Sequence, residues 1–398
     1  MKTREFIRKT WLKAVRQPEP QGDFLLPAPF VPPCYKGAFL KLFYWDTYFT
    51  NKGLIADGYA DLAKNNVDDL LYALDYFGCV PNYCSADGAE WCSQPPLLSL
   101  MVADVYAVTG DKKWLARAFE GLEKELSFWR RERMGKCGLF RHGTNQRDFE
   151  KLVEYYGYVS TRLDVPADLS AEQKAARAKI FIAQAESGMD FTARLENTDA
   201  AYCHLDLNCH LAGMEKNMSR FAAELGLAEK AAEYGKAYAE HVKLIDALCF
   251  ADGVYTDYDE NAARASGLIG SAGLLPYFYG FGKGDVKAAL DKLEFRHGVV
   301  AFYKKAPYMY QWDYPNVWPP VQYFAAVAAE NAGEKERART IMKKYVDAVA
   351  GEFERSGGLW EKYSAETGAC AAVNEYEITP MLGWTAGVYA LFFDKLSR

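Results

Sequence analysis

Gln311-Trp312-Asp313-Tyr314-Pro315-Asn316-Val317-Trp318-Pro319-Pro320 packs two Trp, one Asp, one Asn and three Pro into ten residues. Proline removes a backbone donor and breaks a helical ladder, so the stretch is not a helix interior. A disordered linker would not spend two indoles. Rigid aromatics beside an acid and an amide suit a sugar-binding loop: ring faces meet the C–H face of a pyranose while polar groups orient its hydroxyls. The bland alternative is a Pro-stiffened loop whose indoles plug a core. Pro319-Pro320 also sits where a helix would begin, since first-turn positions have no ladder donor to lose.

Outward from this loop, helical periodicity dominates. Apolar residues recur at spacings of three and four over 60–76, 96–109, 113–133, 170–186, 205–225, 227–248, 286–293, 321–331, 334–354 and 384–396. Strand signals are few and short, at Gly253-Val-Tyr-Thr-Asp and His297-Gly-Val-Val-Ala-Phe-Tyr. The chain therefore reads as all-α, ten or more helices in up-down succession. A toroid of paired helices, six inner and six outer, fits that count. A helical solenoid is the rival, but no fixed sequence period supports it. Residues 1–36 read as a Pro-rich N-terminal arm, and 37–398 as a single catalytic domain.

Composition narrows the partners. The 398 residues are 50% hydrophobic, with 27 Tyr, 23 Phe and a formal net charge of -6. No basic face is indicated, which argues against nucleic acid. No run of about 18 apolar residues marks a membrane span. Nine scattered Cys with no CxxC and no apolar leader at the start predict free thiols and a cytoplasmic protein. His204 and His210 lie off zinc spacing, and the acids between Asp252 and Glu260 miss the calcium-loop pattern, so no metal and no cofactor is expected.

Five loop or helix-end segments share a flavour of aromatic, acid, Gly, Asn and Gln. They are Phe43-Tyr-Trp-Asp-Thr-Tyr-Phe49; Val80-Pro-Asn-Tyr83 with Ser93-Gln-Pro-Pro96; Glu186-Ser-Gly-Met-Asp-Phe-Thr-Ala-Arg194; the opening decapeptide; and Gly358-Leu-Trp-Glu-Lys-Tyr363, continuing to Asn374-Glu375-Tyr376-Glu377 and Gly383-Trp384-Thr385. Glycoside hydrolysis needs two carboxyl groups flanking one bond, one to protonate the leaving oxygen and one to activate water or attack carbon. An aromatic setting raises the donor's pKa. Asp190, between Met189 and Phe191, and Glu361, between Trp360 and Tyr363, have such settings. A closed fold is needed to unite them.

At these residues the chain resembles trehalases, glycoside hydrolase family 37, and the related family 63 glucosidases and mannosylglycerate-type hydrolases. The decapeptide fits the pattern Q-W-D-x-P-x-x-W-x-P, and Tyr44-Trp45-Asp46 fits the end of an earlier signature. The resemblance runs from about Tyr35 to the C-terminus. It implies an (α/α)6 toroid and an inverting α-glycosidase acting on a small saccharide or glycoside. It also implies Asp190 as general acid and Glu361 as general base, with Glu375 and Glu377 as competitors for the base. Trp45, Asp46, Asn82, Gln94, Trp312, Asp313, Trp318, Glu375 and Trp384 match pocket residues, and Tyr44, Gln311 and Arg194 complete the matching motifs as substrate-binding candidates. Two arginines of the family pattern are absent: their positions hold Ala38 and Cys92. A guanidinium fork has no substitute in Ala or Cys, so the grip on the leaving sugar looks rebuilt. A true trehalase and a non-catalytic sugar binder are the alternatives.

Overall fold

The computed structural model describes residues 2–196, 198, 201–305, 308–371 and 380–398. In chain order its helices are α1 (Lys2–Ala14), α2 (Tyr44–Ala56), α3 (Ala60–Phe77), α4 (Ala86–Trp91), α5 (Leu98–Thr109), α6 (Lys112–Glu132), α7 (Phe149–Leu163) and α8 (Ala171–Glu186). They continue as α9 (Leu205–Glu224), α10 (Ala228–Cys249), α11 (Leu275–Phe278), α12 (Lys287–Leu293), α13 (Pro319–Asn331), α14 (Lys335–Ser356) and α15 (Gly383–Leu396).

The helices close a ring. α2 packs on α5, α5 on α9, α9 on α11, α11 on α13, α13 on α15, and α15 returns to α2. Behind these six lie α3, α6, α10, α12, α14 and α1, giving the (α/α)6 toroid. Burial explains the division. α6 presents an apolar stripe of Trp114, Leu115, Ala118, Phe119, Leu122 and Leu126 and turns its charges outward, as a helix with one buried face must. α2 is buried on nearly every side, so its sequence shows no stripe and its periodicity was silent. The α2–α15 seam is tight because both helices offer glycine: a Cβ on Gly387 would run into the Phe49 carbonyl, and one on Gly53 would lie 2.7 Å from the Gly387 Cα.

α1 packs on α15 and α14, where Arg4 pairs with Asp57 at 2.7 Å and Asp394 at 2.8 Å. α7 and α8 form an additional hairpin with its own apolar cluster, including Leu152, Tyr156, Val159, Phe181 and Ile182. Ser170 caps α8 through a capping box with Gln173, which supplies partners for orphan first-turn N–H groups. α13 starts on Pro319 and Pro320. The strands are two residues long. One antiparallel pair matters for function: Asn316 faces Ser364 and Val317 faces Tyr363, which ties the opening decapeptide to the segment carrying Glu361.

Candidate active site

The decapeptide folds back on its own carbonyl. The Gln311 oxygen accepts from Asn316 Nδ2 at 2.7 Å and from Trp318 Nε1 at 3.0 Å. Those side chains replace partners that the prolines cannot provide. The result is a stack: the Trp312 and Trp318 rings lie 3.9 Å apart and 5° from parallel. Trp384, in the first turn of α15, stands edge-on to Trp318 at 5.8 Å and 86°. Trp45, in the first turn of α2, sits 5.7 Å from Trp312. These four indoles line a cavity of about 510 Å³ with Asp46, Asn82, Gln94, Asp190, Gln311 and Glu361.

Three carboxyl groups share that space. Glu361 is 4% exposed. Lys362 Nζ, fully buried, lies 2.9 Å from Glu361 Oε2 and 2.8 Å from Gln311 Oε1, and stands 4.7 Å over the Trp318 ring. Trp384 Nε1 donates to the Glu361 carbonyl at 3.0 Å, so one indole braces the backbone of the base candidate. Asp190 follows α8 through Gly188, whose φ is +74° and whose missing Cβ would lie 2.6 Å from Trp45. Only glycine meets both demands there. Burial lifts the Asp190 carboxyl to about 6 against the opposing pull of Arg162, and the field of Glu361 adds to the rise. Arg162 reaches it at 3.4 Å. Asp46 is pushed well above the carboxylate range, first by burial and then by the charges of Glu361 and Asp190. Carboxyl groups whose surroundings separate their protonation states are what acid–base chemistry requires.

Tyr44, Arg194 and Asp313 are not brought to this cavity. The Tyr44 hydroxyl donates to the buried Glu125 and accepts the Leu98 N–H at 3.1 Å. Arg194 is spent on Asp257 at 2.8 Å and Asp206 at 2.6 Å. Asp313 accepts from Thr192 Oγ1 at 2.7 Å and Ala193 N at 2.9 Å, holding the turn that follows Asp190. All three act as scaffolding behind the wall, because each side chain's polar atoms face protein partners. Glu375 and Glu377 lie outside the described residues. Gln94 Oε1 accepts the Trp45 N–H at 3.1 Å, and Asn82 lends its carbonyl to Tyr44 N at 3.0 Å.

The trehalase family model matches residues 2–397. A periplasmic trehalase of Xanthomonas axonopodis pv. citri is 31% identical across 98% of this chain and 73% of its own length. The chain belongs to the trehalase family. A trehalase of Tenebrio molitor is 25% identical, covering 90% of this chain and 70% of the insect protein. Among solved structures, neutral trehalase of Saccharomyces cerevisiae superposes with a TM-score of 0.77 at 20% identity over 98% of this chain and 79% of its own. A family 63 mannosylglycerate hydrolase of Thermus thermophilus gives 0.65 at 15% identity over 98% and 100%. This trehalase-family chain is thus a glycoside hydrolase with the toroidal fold that its motifs implied.

One expectation is overturned. The bacterial relatives are named periplasmic trehalases, against the cytoplasmic location inferred from cysteine usage. Seven of the nine thiols are buried, and a buried thiol away from a partner stays reduced whatever the compartment. Cysteine count was therefore a poor guide to location.

The structure also places the two positions where the family pattern carries Arg, and a cation that the motifs did not indicate. Ala38 lines the cavity where the family pattern carries Arg. Cys92, at the second lost arginine, is buried and takes a 3.8 Å contact from Asn82 Nδ2. A different cation comes instead from α7: Arg162 and Tyr158 line the cavity beside Asp190. Tyr155, Tyr158 and Arg162 are spaced three and four apart, one face of a helix, and that spacing was the available signal. Glu186, the first residue of the Asp190 motif, is likewise structural. Arg133 grips it at 2.7 and 2.9 Å while Ser93 N and Gly143 N donate to it. Burial opposes ionisation there, yet Arg133 and His142 hold the carboxyl down at about 2.

Proposed function

We propose that this chain hydrolyses an α-glycosidic bond of a small saccharide with inversion, Asp190 being the general acid and Glu361 the general base. The observation that carries this reading is the pairing in one indole-lined cavity of a carboxyl raised to about 6 with a buried carboxylate ion-paired to Lys362. Asp190 donates its proton to the leaving glycosidic oxygen. Glu361 takes a proton from the water that attacks the anomeric carbon, a geometry that needs carboxyl groups about 6.5–9.5 Å apart. The stacked indoles bind the non-reducing sugar. Asp190, Asn82, Tyr158 and Arg162 also border a second cavity of about 640 Å³, which would receive the leaving group next to the acid.

Inversion is checked by proton NMR of a fresh digest: an α-glycoside should release the β-anomer first. Initial appearance of the α-anomer would overturn the assignment of roles. The second reading, a true trehalase, is favoured by the names of the relatives. Ala38 and Cys92 weigh against it. Assaying trehalose beside other α-linked disaccharides and glucosyl- and mannosylglycerate separates the two. The relatives' compartment also supports a periplasmic site of action, which cell fractionation tests.

A further inference from the structure

Cys137 and Cys203 hold their sulfurs 3.7 Å apart, and neither lines the sugar pocket. Cys203 is buried in a two-residue strand paired with Tyr258. Cys137 is half-buried and lines an open cavity of about 640 Å³ with Lys136, Arg141 and Glu260. Its turn is flanked by two glycines, Gly135 before it and Gly138 after it at a φ of +89°. Glu260 Oε1 accepts the Cys137 N–H at 2.7 Å and presents the thiol towards Cys203.

We propose that Cys137 and Cys203 form a disulfide that staples the base of the α7–α8 hairpin. Sulfurs in contact need only side-chain rotation and a small shift of a glycine-flanked turn to reach bonding distance of about 2.05 Å. The step requires a disulfide donor. The Cys137 thiolate, the accessible partner, attacks a donor sulfur and expels one donor thiol. The Cys203 thiolate then attacks Cys137 Sγ and expels the second. The two protein thiols together lose two electrons and two protons, and the donor is reduced to two thiols. The bond would close the chain around residues 137–203, which contain α7, α8, Arg162 and Asp190, so it would restrain the platform that carries the acid.

A metal ion is the rival occupant, since Cys137, Cys203 and Glu260 cluster closely enough to share one. The surroundings oppose it. Glu260 already serves the Cys137 N–H and, at 3.5 Å, Arg141, and Lys136 lines the same cavity. Two neighbouring cations repel a third.

The test exposes the full chain to oxidised glutathione. Thiol titration in denaturant should then find two fewer than the nine thiols of the reduced chain, with a peptide linking Cys137 to Cys203 and no retained glutathione. Tm should rise by roughly 5 °C for a loop of this length in a chain of this size and return on treatment with dithiothreitol. Cys203→Ser should instead keep one glutathione on Cys137, and Cys137→Ser should show no rise in Tm. Four outcomes would overturn the proposal: nine thiols surviving in the wild type, a lasting glutathione adduct on its Cys137, a link between other cysteines, or bound zinc protecting both thiols.

Discussion

The two sides of the cavity are built differently. The Glu361 side is made of backbone braces and stacked indoles. Trp312, Trp318 and Trp384 fix one another, and Lys362 ties Glu361 to Gln311 with a fully buried ammonium. The Asp190 side is made of long side chains arriving from elsewhere, with Arg162 from α7 beside a carboxyl that is sunk in the cavity and keeps about a third of its surface open to it. Rigid, contiguous segments suit a sugar that every substrate presents. A wall assembled from a separate hairpin suits the part that differs between substrates, because it can be rebuilt without disturbing the stack. Cys92, at one of the two positions where the family pattern carries Arg, borders the cavity beside Asp190 and Arg162, while the decapeptide holds every residue of its motif.

The largest expected effect removes the proposed acid. Asp190→Asn should lower kcat by about 10²–10⁴-fold, the usual worth of a positioned proton donor, with KM little changed. Wild-type turnover in this variant would break the functional assignment of that wall. On the opposite wall, Lys362→Met leaves Glu361 buried without its cation and should cost about 3–5 kcal/mol, read by urea unfolding. A loss below about 1 kcal/mol would mean that the rigid wall does not depend on this pair.

Acid–base behaviour sharpens the contrast. A general acid must be protonated, and the Asp190 carboxyl at about 6 loses its proton as pH rises through that value. The kcat/KM profile should therefore fall above about pH 6. Arg162 opposes the rise in Asp190's pKa, so Arg162→Met should move this falling limb to higher pH while lowering kcat/KM. A limb that stays in place would separate Arg162 from Asp190. Glu186 titrates with the opposite sign. Its folded value, about 2, lies below the ordinary 4.5, so its contribution to stability is present above about 4.5 and is lost as pH falls towards 2. Glu186→Gln should flatten the acid side of the stability curve in that window.

The smallest effect belongs to Asp313. Asp313→Asn retains one acceptor for the turn at Thr192 and Ala193 and should cost about 1 kcal/mol, with kcat/KM within a few-fold of wild type. A collapse of kcat/KM at unchanged stability would instead bring Asp313 into contact with substrate.

Helix positions were legible wherever one face is buried and the other wet. The periodicities over 205–225 and 113–133 end within a residue of α9 and α6. The same rule explains one miss. α2 is buried nearly all round, so it shows no clean stripe; α7 does align Leu152, Tyr156, Val159 and Leu163 on one buried face, and that legible signal was missed. The site divides along a similar line. Motif residues that are neighbours in the chain fixed Trp312, Trp318 and Glu361 as candidates. Arg162 and Tyr158 went unread, because their importance rests on what lies across the cavity from them; Lys362 was visible only as a motif letter, because its partner Gln311 is distant in the chain.

The sequence by itself determined the all-α class, the family and the identity of the two carboxyl candidates, because local periodicity and contiguous motifs need no partner to be recognised. Tertiary structure alone decided which motif residues face the cavity and which brace it from behind. Tyr44, Arg194 and Asp313 turn their polar atoms to Glu125, Asp206 and Asp257, and Thr192. The direction of a side chain is set by burial and by the nearest opposite charge or donor, and those come from distant parts of the chain. The same holds for Cys137 and Cys203, separated by 66 residues and joined at 3.7 Å only by the fold.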